Sequence, residues 1–110
     1  MWLPVRTQTR IPAIGVAVIG VGYMGAIHAR AYATEPRTRL AGVFDSNANA
    51  ARSVASAVGT TTFNSLDELL SRTDVEAVSI CTPDANHVEP TLAALNANKH
   101  VLLEKPIATT

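Results

Sequence analysis

The stretch Ile14-Gly15-Val16-Ala17-Val18-Ile19-Gly20-Val21-Gly22-Tyr23-Met24-Gly25 decides the fold. Its first six residues are a compact, β-branched run of strand length. They lead directly into Gly20-Val21-Gly22-Tyr23-Met24-Gly25, a G-x-G-x-x-G that opens a helix. The first glycine suits a tight turn, the second lets the backbone approach a pyrophosphate, and the third lets the helix pack close to the sheet. A diphosphate placed there would accept hydrogen bonds from the free N–H groups of the helix start and meet the positive end of its dipole. Glycine turns are common, but one set between an apolar strand and a helix is a strong sign of a dinucleotide site.

Downstream, apolar runs alternate with helical patterns. Met24, Ile27, His28 and Ala31 share one face of the first helix, and Leu40 to Phe44 is a second apolar run. Asn47 can cap a helix whose stripe is Ala51, Val54, Ala55 and Val58, closed by Gly59. Thr60 to Phe63 is a short third strand, and Ser65 with Glu68 forms a capping box for a helix through Leu66, Leu69 and Leu70. Val75 to Thr82 is a fourth strand. Asn86 with Glu89 offers another capping box, for a helix carrying Val88, Leu92 and Leu95 inward, with Asn98 as a left-handed cap. His100 to Glu104 is a fifth strand that Pro106 halts. Strands separated by helices pair in parallel, with right-handed crossovers. The expectation is a doubly wound (Rossmann) α/β domain: a mostly parallel sheet of about five strands with helices on both faces, spanning 13–110 behind a loose tail, 1–12.

Composition narrows the class. At 47% apolar and 16% charged, the chain can bury a core. Nine basic residues balance nine acidic ones, and they are scattered, so no field draws nucleic acid or an anionic membrane. No apolar run nears the roughly 20 residues of a membrane span, and the start lacks the apolar region of a signal peptide. The single cysteine, Cys81, excludes an internal disulfide. A cytoplasmic location is the expectation.

Asp45 ends the second apolar run, 20 residues after Gly25. A carboxylate there can accept hydrogen bonds from adenosine ribose hydroxyls and would repel a 2′-phosphate, which favours NAD over NADP. Its bland alternative is to cap the next helix, alone or with Asn47. Ser46 and Arg52 lie close enough in sequence to leave NADP open.

Two more segments fall at carboxyl ends of strands, where ligands of open α/β sheets bind: Cys81-Thr82-Pro83-Asp84-Ala85-Asn86-His87 and Glu104-Lys105-Pro106. With the glycine loop and Asp45 they make the chain resemble the Gfo/Idh/MocA oxidoreductases over about residues 13 to 110. The resemblance rests on G-V-G-Y-M-G-A-I-H-A-R, T-P-D-A-N-H and K-H-V-L-L-E-K-P, with E-K-P the most specific. It implies hydride transfer between nicotinamide and a hydroxyl-bearing carbon, commonly of a sugar, cyclitol or related polyol. It also implies that Gly20, Gly22, Tyr23, Met24, Gly25 and Asp45 bind the cofactor, and that Thr82, Pro83 and His87 line its nicotinamide side. Glu104 and Lys105 would face the nicotinamide ribose and the substrate hydroxyl, with Lys105 catalytic.

An ammonium beside the reacting oxygen would stabilise its developing negative charge; the bland alternative for Lys105 is a surface lysine ending a strand. The resemblance implies that the family's other catalytic groups, its pocket and its oligomer interface belong to a second domain, which is expected to be missing here. The fragment is therefore expected to be inactive alone and a homo-oligomer at full length. Asp84 stands where the family commonly has Asn, and Asn98 where it has Gly.

His28 is expected to pack or hydrogen-bond locally, His100 to be exposed, and Cys81 to act as a small hydrophobe. No zinc-like spacing joins them, so no metal is expected. A non-catalytic dinucleotide-binding or sensing module is an alternative, against which Lys105 speaks. An S-adenosylmethionine methyltransferase would share the glycine loop but not Gly25 or Glu104-Lys105-Pro106.

Overall fold

The computed structural model describes residues 12–83 and 88–103. Four parallel strands, β1 (Ile14–Ile19), β2 (Thr38–Phe44), β3 (Ala77–Ile80) and β4 (His100–Leu103), lie in the order β2-β1-β3-β4. The helices are α1 (Tyr23–Thr34), α2 (Ala48–Val58), α3 (Leu66–Ser71) and α4 (Val88–Asn96). Two cores result, one on each face of the sheet. Val18, Val43, Ala29, Ala51 and Ala55 form the core beneath α1 and α2. Ala17, Ile19, Val78, Ile80, Leu69 and Ala94 form the one beneath α3 and α4. Adjacent residues of β1 thus belong to opposite cores, which is why that strand is apolar without interruption. The doubly wound expectation holds.

The third expected strand shrinks to one bridge, between Thr62 and Val43. Phe63 turns into the core against Gly42, and Asn64 and Ser65 then open α3, so pairing stops there. Among the described residues the sheet therefore has four strands plus this bridge beside β2.

Local signals placed the helix ends. The Asn47 side chain accepts from the Ala50 N–H at 3.1 Å, and Gly59 closes α2 with φ 78°. Ser65 Oγ accepts from the Glu68 N–H at 3.0 Å, while Glu68 Oε1 reaches one residue further back than a standard capping box, to the Asn64 N–H at 2.6 Å. Asn98, at φ 63°, ends α4 as the left-handed cap: the Asn98 N–H donates to the Leu95 carbonyl and the Lys99 N–H to that of Ala94, a Schellman motif. The expected cap Asn86 lies outside the described residues, as does the expected strand end Glu104.

Two helix faces differ from expectation. On α1 the inner residues are Gly25 and Ala29, with Tyr32 packed beside them, while Met24 and Ile27 are partly exposed. On α4 Pro90 and Ala94 face inward, and Val88, Leu92 and Leu95 are exposed. In both, small residues let the helix sit close to the sheet and displace the larger apolar side chains outward. Among the described residues no helix is long and apolar enough to cross a membrane.

Candidate dinucleotide site

β1 sends its chain connection to one side, toward β2, while β3 and β4 extend the sheet on the other. The carboxyl ends of β1 and β3 therefore open into a crevice at the topological switch point. Gly20 enters it with φ 91°, and a Cβ there would stand 2.7 Å from the Thr82 nitrogen and 2.8 Å from the Cys81 carbonyl carbon. At Gly25 a Cβ would meet the Gly20 oxygen at 1.8 Å, so α1 can approach only with glycine at this position. Gly22 is different: a Cβ there meets nothing within 4 Å. Two glycines are required by protein packing, and the third keeps space open.

Helix α1 starts at Tyr23 with Gly22 as its N-cap, and neither a capping side chain nor an acidic residue occupies its first turn. The positive end of the helix is thus left for an anion. Tyr23 is 82% exposed and Met24 is 37% exposed on that turn.

Asp45 follows β2 and points toward the loop. Its Oδ2 accepts from the Val21 N–H at 2.8 Å and its Oδ1 from the Asn47 N–H at 2.8 Å. The helix-capping alternative is therefore realised in part, through Asn47. The same carboxylate borders a cavity of about 610 Å³. The cavity's polar rim is Asp45, Ser46, Thr82 and Glu89; Leu66, Pro83, Val88 and Leu92 supply apolar walls. A smaller cavity of about 210 Å³ adjoins it, with Ser46, Arg52 and Asn64 among its lining. These features fit a dinucleotide: amides for the diphosphate, a carboxylate for a ribose and apolar walls for a flat base.

The structure thus sets Gly20, Asp45, Thr82 and Pro83 around one cavity, with Gly22, Tyr23, Met24 and Gly25 at the start of α1 that follows Gly20. His87, Glu104 and Lys105 lie outside the described residues. Periodicity missed Val88 and Leu92 as cavity walls by assigning them to the core; Pro90 and Ala94, small and four apart, were the available sign of the true inner face, while Leu66 both packs against the core and borders the cavity. His28 lies edge-on to Tyr32, with ring centroids 6.3 Å apart, and His100 is exposed. Cys81 is half-buried against the α1 core. Among the described residues no three His, Cys, Asp or Glu gather as metal ligands.

Comparison with known proteins agrees with this geometry. Residues 14–110 match the family model of the Gfo/Idh/MocA oxidoreductases, NAD-binding Rossmann fold. The chain is 46% identical over 89 residues to UDP-N-acetylglucosamine 3-dehydrogenase of Acidithiobacillus ferrooxidans, covering 81% of this chain and 27% of that protein. It is 37% identical over 97 residues to inositol 2-dehydrogenase 3 of Saccharopolyspora erythraea, covering 87% of this chain and 29% of that protein. Among solved structures, GenD2 from gentamicin A biosynthesis, in complex with NAD, superposes with a TM-score of 0.82 at 34% identity, over 86% of this chain and 27% of that one. The chain thus spans little more than a quarter of the relatives it matches. With its glycine loop, switch-point crevice and acidic residue after β2, the chain belongs to the Gfo/Idh/MocA oxidoreductase family, as an NAD-binding Rossmann domain.

Proposed function

We propose that this chain is the cofactor-holding part of an NAD-dependent dehydrogenase that acts on a hydroxyl-bearing carbon of a sugar, cyclitol or related polyol. The observation that carries it is the open space at Gly22, set between the uncapped start of α1 and the Asp45 carboxylate. The amides from Gly22 onward bind the diphosphate. Asp45 has lone pairs beyond its two hydrogen bonds to accept from ribose hydroxyls, and its charge disfavours a 2′-phosphate. Leu66, Val88 and Leu92 offer an apolar surface for the adenine.

Bound NAD supplies the hydride acceptor or donor. Thr82, Pro83 and His87 are assigned to its nicotinamide side. Glu104 and Lys105, next in sequence after β4, are assigned to the nicotinamide ribose and the substrate hydroxyl. An alcohol that loses hydride must also lose its hydroxyl proton, and the Lys105 ammonium stabilises the oxygen while that happens. The substrate class draws on relatives named as dehydrogenases of a nucleotide sugar, glucose-6-phosphate and inositol. Another relative is named a hydratase of 2,7-anhydro-N-acetylneuraminate, itself a sugar derivative.

The test is NADH fluorescence titration of the chain and of Gly22→Arg. Because a Cβ at Gly22 meets nothing within 4 Å, the variant should melt near the wild type while its side chain fills the phosphate space. Saturable binding by the wild type and none by Gly22→Arg is the expected result; equal binding by both removes the phosphate-loop assignment. In the chain extended by its native downstream sequence, Lys105→Met should lower kcat on the turned-over polyol by about 100-fold or more.

A further inference from the structure

The first two amides of the glycine loop are already committed to the end of β2. The Gly20 N–H donates to the Phe44 carbonyl at 2.8 Å, and the Val21 N–H donates to Asp45 Oδ2 at 2.8 Å. Capping the turn before α2 requires only the other oxygen, Oδ1, on the Asn47 N–H. The Val21 bond spans 24 residues of sequence and ties the loop after β1 to the loop after its neighbour β2, on the β2 side of the crevice. Below it, the Val21 side chain is 4% exposed and anchored in the α1 core.

From this we infer that Asp45 is a positioning residue for the phosphate loop, in addition to any contact with ribose. The inference rests on the dinucleotide site proposed above. Its carboxylate occupies the Val21 amide and so fixes the turn from which Gly22 and the first residues of α1 present theirs. A carboxylate this close to a diphosphate would by charge alone oppose binding. Two N–H donors hold it in one orientation, and its contribution through the loop outweighs that repulsion. Asparagine cannot substitute, because its amide oxygen satisfies one N–H while its NH2 faces the other. Glutamate keeps the charge but moves the carboxylate by a methylene.

Calorimetric titration with ADP and with 2′,3′-dideoxy-ADP, which keeps the diphosphate and lacks the ribose hydroxyls, separates the roles. In Asp45→Asn the affinity for dideoxy-ADP should fall about tenfold, the size of a lost charge-assisted hydrogen bond. Asp45→Glu should lose a similar factor despite its retained charge. Amide hydrogen exchange at Val21 should accelerate in both, with exchange in β1 and β3 unchanged. If Asp45 acts through ribose alone, both variants bind dideoxy-ADP as the wild type does, or Asp45→Asn binds it more tightly; either result overturns the positioning role and leaves the dinucleotide site standing. A wild type that binds neither nucleotide overturns both. Should Asp45→Asn fail to fold, Asp45→Glu carries the same comparison.

Discussion

A Cβ on Gly25 would stand 1.8 Å from the Gly20 carbonyl oxygen, so the start of α1 and the end of β1 meet with no room between them. Gly25→Ala must push the helix off the strand, and with it the amides that face the crevice. We expect a loss of about 1–3 kcal/mol, the usual range for overpacking, together with weaker NADH binding. Gly22→Ala, with open space at its Cβ, should melt as the wild type does. Thermal unfolding of the two variants side by side checks this, and equal melting points would contradict it.

Ser79 is fully buried in β3, and its hydroxyl meets the Tyr32 hydroxyl of α1 at 2.5 Å. Tyr32→Phe leaves that buried hydroxyl without its partner and should cost about 1–2 kcal/mol in urea unfolding. Ser79→Ala removes the polar atom as well as the bond. The double variant should therefore lose less than the two single losses added together. Strict additivity would show that the two hydroxyls do not act as a pair.

What could be read in the chain followed the range of each interaction. The β1 run, the glycine turn, the Asn47, Ser65 and Asn98 caps and Asp45 at the end of β2 all depend on a few neighbouring residues, and each falls where expected. The inner faces of α1 and α4 did not follow. Hydrophobicity favoured Met24 with Ile27, and Val88 with Leu92, whereas close helix–sheet contact selects Gly25, Ala29, Pro90 and Ala94. The outward residues then line the crevice instead, as Val88 and Leu92 do. The Asp45–Val21 and Tyr32–Ser79 bonds join residues 24 and 47 positions apart, and no local pattern encodes them. Thr60 to Phe63 had the composition of a strand, but Phe63 serves the core instead.

Acid should weaken the fold through two partly exposed carboxylates. Arg37, by hydrogen bonds from its side chain and its backbone, lowers the Glu35 pKa from 4.5 to about 2. The Arg72 guanidinium, bonded to both oxygens of Asp74, likewise holds that group below its ordinary value. A carboxylate with a depressed folded pKa stabilises fully above its unfolded pKa, and that contribution fades as pH falls through the folded one. For Glu35 the window runs from about pH 4.5 down to about 2. Both pairs are open to solvent, so the effect is small and salt-screened. Urea midpoints stepped across this window should fall less in Glu35→Gln than in the wild type. In 1 M salt the difference should narrow; a wider gap at high salt would rule out the ion pair as its cause.

Among the described residues, strand β4 forms one edge of the sheet, with Leu102 53% exposed and Leu103 41% exposed. The neighbouring residues alternate: Val101 packs against the α4 core, which places Leu102 on the opposite face, toward α1. That face is flanked by Ile14, itself 45% exposed, and the two leucines carry no charge to block pairing with another strand. The 110-residue chain should therefore self-associate through β4 at micromolar concentrations and above. Leu102→Lys adds a charge at the edge without entering the core, so it should raise the monomer fraction in sedimentation velocity and leave the melting temperature nearly unchanged. A wild-type chain that sediments as one monomeric species, with a cooperative melt, would show that this edge does not drive association.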